Sequence, residues 1–252
     1  MPTFQTTAVT LLRRPLGEAD LLAVLLAREE GKLRVVARAT RKPQSKLAPL
    51  VQPFVVARVQ IAIGKNLNVL TQGEVLEANR PLREDIRRFA YCSYMAEVAD
   101  RAIQPDQPAP RFYDLLTSCF RAAARQDDVQ RVAMYFELHA MRLLGFEPAV
   151  ERCAACGAEL RAGQALWEPA AGGSICRSCV ARFPEATPLS ADASLALARL
   201  FVCRPSQLPH CPLTPAARSE LRSALRRFVL YHMECTLNTL DFIRNVEEAM
   251  PA

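Results

Sequence analysis

Four cysteines carry the plainest chemical signal in this chain: Cys153, Cys156, Cys176 and Cys179, spaced C-x2-C-x19-C-x2-C. That spacing lies within the range of a four-thiolate zinc site. Each pair can sit on a tight turn that aims two sulfurs at one ion. Gly157 permits the backbone turn behind the first pair, and Gly172-Gly173 suits a reversal between the halves. The expected ligand is a structural Zn2+, because four thiolates close the tetrahedron and leave no position for an activated water. A redox C-x-x-C would stand beside a thioredoxin-like βαβ pattern, whereas both pairs here lie between helical patterns. A nucleobase deaminase would show P-C-x-x-C, but Arg152 precedes Cys153 and Ile175 precedes Cys176. The remaining five cysteines, Cys92, Cys119, Cys203, Cys211 and Cys235, fall mostly on apolar helical faces and read as core filler.

The second candidate is "REEGKLRVVARATRKPQSK", Arg28 to Lys46, with seven basic residues against two acidic ones. The net charge of +6 is localised: residues 1–80 hold 12 Lys/Arg and 6 Asp/Glu, and the remainder is balanced. A basic run is commonly no more than a solvated surface. This one lies on an expected strand and the loop leaving it, where small barrels hold nucleic acid. Phe4 and Phe54 are the only aromatic residues in that region, too few to stack successive bases. Binding should therefore rest on phosphate contacts, with little sequence preference and tolerance of single strands and duplex. A smaller stripe, Arg218, Arg222 and Arg226, recurs at i+4 on the last long helical pattern and reads more readily as a solvated helix face.

The elements that must position these groups change character along the chain. From Thr6 to Glu77 the pattern favours five strands: "TTAVTLLRR", "ADLLAVLLA", "KLRVVARA", "FVVARVQIAI" and "LNVLTQGEVLE", divided by Gly- and Pro-containing turns. Five short strands over some 80 residues suit a small barrel, with the OB-fold as leading candidate. Beyond Pro81 helical spacing takes over, in "PLREDIRRFAYCSYMAEVADRAI", Arg111 to Arg125 and "DDVQRVAMYFELHAMRLLG". After the cysteine segment come "ADASLALARLFVC" and "TPAARSELRSALRRFVLYHMECTL", the latter with Thr214 as N-cap and Pro215 in the first turn. The fold class expected is α+β: a five-stranded OB-fold barrel at 1–80, then an all-α domain at 81–150 and 186–252, with a four-cysteine zinc finger inserted at 151–185.

Composition bounds the function classes. No secretory leader pattern opens the chain, and the longest apolar run, Leu21 to Ala27, is far too short to span a membrane. A cytoplasmic protein is expected, in which cysteines hold metal rather than disulfides. Neither Gly31-Lys32 nor Gly64-Lys65 has the earlier glycine of a phosphate-cradling loop. His139, His210 and His232 form no H-E-x-x-H, and no G-x-S-x-G elbow is present. Nothing in the sequence argues for catalysis.

The segment Thr6 to Phe54 resembles the N-terminal signature of RecO, the bacterial recombination mediator family. The resemblance rests on Arg14, Pro15, Gly17, Glu18, Gly31, Lys32, Arg41, Lys42, Ser45 and Gln52-Pro53-Phe54 in that order. The order of parts, barrel, helices, cysteine segment and helices, is also similar. Ala39 departs from the family, standing where many members have glycine, and Ala27 stands where threonine is common. Members differ in whether they keep the four cysteines, which implies that zinc is not the shared functional element. The resemblance implies a non-enzymatic, nucleoid-associated protein of the bacterial cytoplasm. It would bind single- and double-stranded DNA, anneal complementary strands, and help load RecA with RecR and the C-terminal tail of single-strand-binding protein. On that reading Arg34, Arg38, Arg41, Lys42 and Lys46 hold phosphates, with Arg13, Arg14 and Lys32 as flanking contacts. A zinc-dependent nucleic-acid enzyme and a protein-protein adaptor that does not touch DNA remain the alternatives.

Overall fold

The computed structural model describes residues 2–250. They fall into two compact units: one runs up to Arg125 and resumes at Leu237, the other spans Gln126–Thr236.

In the first unit, β1 (Thr3–Leu16), β2 (Asp20–Ala27), β3 (Gly31–Ala37), β4 (Val56–Ala62) and β5 (Asn68–Glu77) form a closed barrel in the order β1-β2-β3-β5-β4. All pairings are antiparallel except β3 with β5, and β1 closes on β4 from Thr3↔Ala62 to Val9↔Val56. This is the expected OB-type barrel. Alternate residues fill it, including Ala23, Leu25, Leu33, Val35, Val59 and Ile61. Strand β2 departs from simple alternation, because Leu22, Val24 and Leu26 on its outer face are buried as well. The unbroken apolar run "LLAVLLA" is thus a strand covered on both faces, as continuous apolar strands usually are.

The same unit holds α1 (Pro81–Glu84), α2 (Ile86–Ala102), α3 (Pro110–Arg125) and α7 (Thr239–Ala249), with α7 packed on α2. Phe54, fully buried, ties barrel to helices: its ring lies 5.6 Å from Phe89 of α2 and 5.1 Å from Phe120 of α3. Two expectations need correction. The helix read through 81–103 is broken at Asp85, whose extended backbone lets its carboxylate accept the Arg88 N–H and cap α2. The final helix was read through Leu237. It ends at Met233, where Glu234 turns left-handed (φ 48°), and α7 is a separate element that the sequence reading missed.

The second unit contains α4 (Val129–Leu143), α5 (Ala191–Val202) and α6 (Pro215–Met233), together with β6 (Leu166–Glu168), β7 (Gly173–Ile175) and β8 (Thr187–Pro188). Thr214 caps α6 by accepting the Ala217 N–H, as its position in "TPAAR" suggested. The short strands form a sheet ordered β7-β6-β8 inside the cysteine segment, which the sequence reading did not anticipate. Strands of two or three residues are too short to show periodicity. Trp167 anchors this sheet: it is fully buried, packs 5.4 Å from Phe228, and donates its indole N–H to the Ala224 carbonyl of α6 at 2.9 Å. Arg218, the first residue of the arginine stripe, is not a solvated face. It grips Asp128 with two hydrogen bonds of 2.5 and 2.6 Å, while Asp128 also caps α4.

Candidate functional site

Ion pairing divides the basic residues of the barrel into two groups. Arg28 is held by Asp114 and Glu29, Arg58 lies 3.5 Å from Glu74, and Lys32 lies 3.3 Å from Asp100. Arg34, Arg38, Lys42 and Lys46 are exposed, and their side chains make no hydrogen bond or ion pair with the described residues. Arg41 is exposed too, its guanidinium only 3.5 Å from the Gly17 carbonyl. Arg34 stands on the outer face of β3, opposite Val24, and the other four follow on the loop leaving that strand. Fixed charges that repel one another and have no internal counter-charge favour an anionic partner.

The loop is held in place by the β1–β2 turn. The Arg41 N–H donates to the Ala19 carbonyl at 3.0 Å, and the Ala39 N–H donates to the Asp20 carboxylate at 2.8 Å. Ala39 is in the left-handed region (φ 53°), which glycine adopts without strain. Here the Asp20 hydrogen bond offsets the strain of an alanine. Anchoring Arg41 and its neighbours this way reduces the ordering they must undergo on binding.

The flanking residues separate. Arg13 and Arg14 lie exposed near the end of β1 and join no ion pair among the described residues. Lys32, in contrast, is only 8% exposed; besides its pairing with Asp100, its ammonium donates to the Asp100 backbone carbonyl. It therefore locks β3 to the end of α2 and is not available to a phosphate. The neighbouring Gly31 (φ 76°) passes so close to the Gln107 backbone that a Cβ would lie 1.9 Å from its carbonyl oxygen. The acidic-Gly-Lys signature is thus a packing device between the barrel and residues 104–109. Lys65, exposed on the β4–β5 hairpin, was not singled out from the sequence although its Gly-Lys-Asn turn was visible there. Of the two barrel aromatics, Phe54 is fully buried and Phe4 packs against the barrel interior, so neither can stack an incoming base.

In the second unit the four cysteines come together: their Sγ atoms all lie within 4.8 Å of one another, and Cys156 and Cys176 are 3.8 Å apart. A tetrahedral Zn2+ with Zn–S near 2.3 Å requires sulfurs about 3.8 Å apart. Each pair sits on a hydrogen-bonded turn. The Gly157 N–H donates to the Cys153 carbonyl at 2.8 Å and the Cys179 N–H to the Cys176 carbonyl at 3.0 Å. Gly157 supplies the left-handed residue (φ 76°) behind the first pair. Burial opposes ionisation of the Cys153 thiol, but N–H groups of Cys176, Ala155 and Cys156 outweigh it and bring it down to about 6. The Cys179 thiol, facing Cys176 and Cys156, is pushed up to about 12. Without a cation the four sulfurs cannot all ionise; a soft divalent ion removes that conflict. The donor set fits such an ion, and among the described residues no further His, Cys, Asp or Glu joins the cluster.

Two family models cover almost the whole chain: Recombination protein O N terminal matches residues 1–79, and Recombination protein O C terminal matches residues 83–241. The chain is 32% identical over 248 residues to the DNA repair protein RecO of Roseiflexus sp. (strain RS-1), covering 98% of this chain and 87% of that protein. It is also 32% identical over 254 residues to the DNA repair protein RecO of Symbiobacterium thermophilum, covering 99% and 100%. A 32% identity over 246 residues to the DNA repair protein RecO of Desulforudis audaxviator spans 98% of both. With both parts of the family matched in order, on a closed barrel followed by helices, this chain belongs to the RecO family.

Proposed function

We propose that this protein acts in DNA repair as a recombination mediator. It would bind single- and double-stranded DNA without sequence preference, anneal complementary strands, and with RecR help load RecA onto DNA coated by single-strand-binding protein. The observation that carries this reading is the run of exposed basic residues, Arg34, Arg38, Arg41, Lys42 and Lys46, on a barrel that offers no aromatic platform. Cations of this kind hold phosphates and leave bases free to pair. Bringing two polyanions together requires that their repulsion be lowered, which a fixed positive surface does. Arg13 and Arg14 extend that surface along β1; Lys32 is left out of it.

On this reading the protein is a binder, not a catalyst, and Cys153, Cys156, Cys176 and Cys179 hold a structural Zn2+ whose role is to fix the fold of the 151–185 insertion. RecR and the tail of single-strand-binding protein are partners by family likeness. The test is strand annealing by a variant with Arg38→Glu, Arg41→Glu and Lys42→Glu. All three side chains are exposed, so folding should survive and circular dichroism should be unchanged. DNA binding and annealing should fall together by at least tenfold. Full annealing by the folded triple variant would overturn the proposal.

A further inference from the structure

A cavity of about 760 Å³ opens in the first unit beside the barrel, floored by Leu11, Leu12, Phe54 and Phe89. Three arginines line it: Arg13 from β1, Arg83 from α1 and Arg101 from α2, of which Arg101 lies towards Glu97. Arg83 is held in place by donating to the Pro53 carbonyl at 2.9 Å and sits within reach of the Asn79 carbonyl at 3.5 Å. The Arg13 side chain reaches solvent, yet partial burial of its guanidinium lowers its pKa. Arg83 is lowered chiefly by burial; the nearby charge of Glu84 opposes this, and those of Arg13 and Arg80 add to it.

The acids of the cavity do not neutralise these two charges. The Glu97 carboxylate accepts the N–H groups of Asn238 and Thr239 and the Thr239 hydroxyl, and Arg101 approaches it at 4.0 Å. Asp100 is taken by Lys32. Arg13, exposed, and Arg83, half-buried, are therefore a like-charged pair on a cavity with an apolar lining, and the volume is that of a small-molecule site. Two adjacent guanidiniums match a group that concentrates about two negative charges on one atom cluster, as a phosphate monoester does with roughly −1.5 to −2 at neutral pH. A single carboxylate would leave one of the pair uncompensated. The apolar floor with the amide of Gln52 and hydroxyl of Ser93 on the walls suits a planar, hydrogen-bonding ring attached to that phosphate.

We propose that this cavity binds a nucleoside 5′-phosphate unit, with the phosphate on Arg13 and Arg83 and the base over Leu12 and Phe89. The unit can come from the phosphorylated end of a DNA strand or from a free nucleotide. The DNA-binding reading bears on the first source only, and the basic loop beyond β3 is not part of the site.

The full-length protein is titrated by calorimetry with 2′-deoxyadenosine 5′-monophosphate, with 2′-deoxyadenosine, and with a tetranucleotide bearing or lacking a 5′-phosphate. The monophosphate should bind at least tenfold more tightly than the nucleoside, and Arg13→Ala should abolish that difference. Ser93→Phe, which puts a bulky ring into the cavity from α2 and leaves both arginines in the sequence, should block binding, with thermal melting confirming both variants are folded. A 5′-phosphate preference in the tetranucleotide assigns the strand end as the source; a preference confined to the free nucleotide assigns the other. The variant with Arg38→Glu, Arg41→Glu and Lys42→Glu should still bind the monophosphate, so failure of the annealing surface and failure of this site are read separately. Equal binding of nucleoside and monophosphate, no effect of Arg13→Ala in the folded protein, or Arg13-dependent binding of an acidic peptide instead of any nucleotide would overturn the proposal.

Discussion

At the residue scale, two positions show how a family signature acquires its physical meaning. Ala39 holds a left-handed backbone that an L side chain adopts at a cost of roughly 1–2 kcal/mol. Ala39→Gly should therefore raise stability by about 1 kcal/mol in urea unfolding, the relief being partly offset by the greater freedom of glycine in the unfolded chain. DNA affinity should be unchanged, because the Asp20 hydrogen bond goes to the backbone N–H and survives the substitution. Lys32 is the reverse case. It was expected among the flanking phosphate contacts, but burial and Asp100 give it an internal role. Lys32→Met keeps the aliphatic stem and leaves the Asp100 carboxylate unpaired, which should lower stability by about 1–3 kcal/mol. A salt titration of DNA binding should show the same slope as the parent protein. Loss of one phosphate contact in that titration would return Lys32 to the interface.

Among the elements, the cysteine segment and the loop after β3 show what positions each group. The cysteine turns flank a small sheet whose central strand carries Trp167, buried against α6. Removing the metal should release the sulfur cluster, expose that ring and shift its fluorescence, while the urea midpoint falls. Cys153→Ser or Cys176→Ser should reproduce the effect, and annealing should persist at temperatures where the variants stay folded. A stable, metal-free variant that loses annealing alone would assign the cluster a direct role. The basic loop shows the same dependence on its supports. Its charges were visible in the sequence, but not that Ala19 in the β1–β2 turn and Asp20 at the start of β2 hold its backbone. Such hydrogen bonds join residues about 20 positions apart and leave no periodic trace.

On the scale of the whole molecule, charge placement decides how DNA binding responds to salt. If phosphate contacts dominate, log affinity should fall linearly with log salt, by about 0.7–0.9 per phosphate held. Reversing Arg38, Arg41 and Lys42 should reduce that slope by about 2–3. A slope unaffected by the triple change would place the contacts elsewhere. By itself the sequence determined the five strands of a small barrel and most of the helices, because strand alternation and helical spacing repeat locally with burial, whereas closure was seen only in the structure. It also determined the thiolate set, whose C-x-x-C spacing is written along the chain. Only the tertiary structure decided which cations are free and which are spent, since the partners of Lys32 and Arg28 lie 68 and 86 residues away. The same is true of α7, placed beside α2 from the far end of the chain, and of the cavity that sets Arg13 next to Arg83. Ion pairs and cavities are properties of surfaces brought together by folding, so neither composition nor spacing could have revealed them.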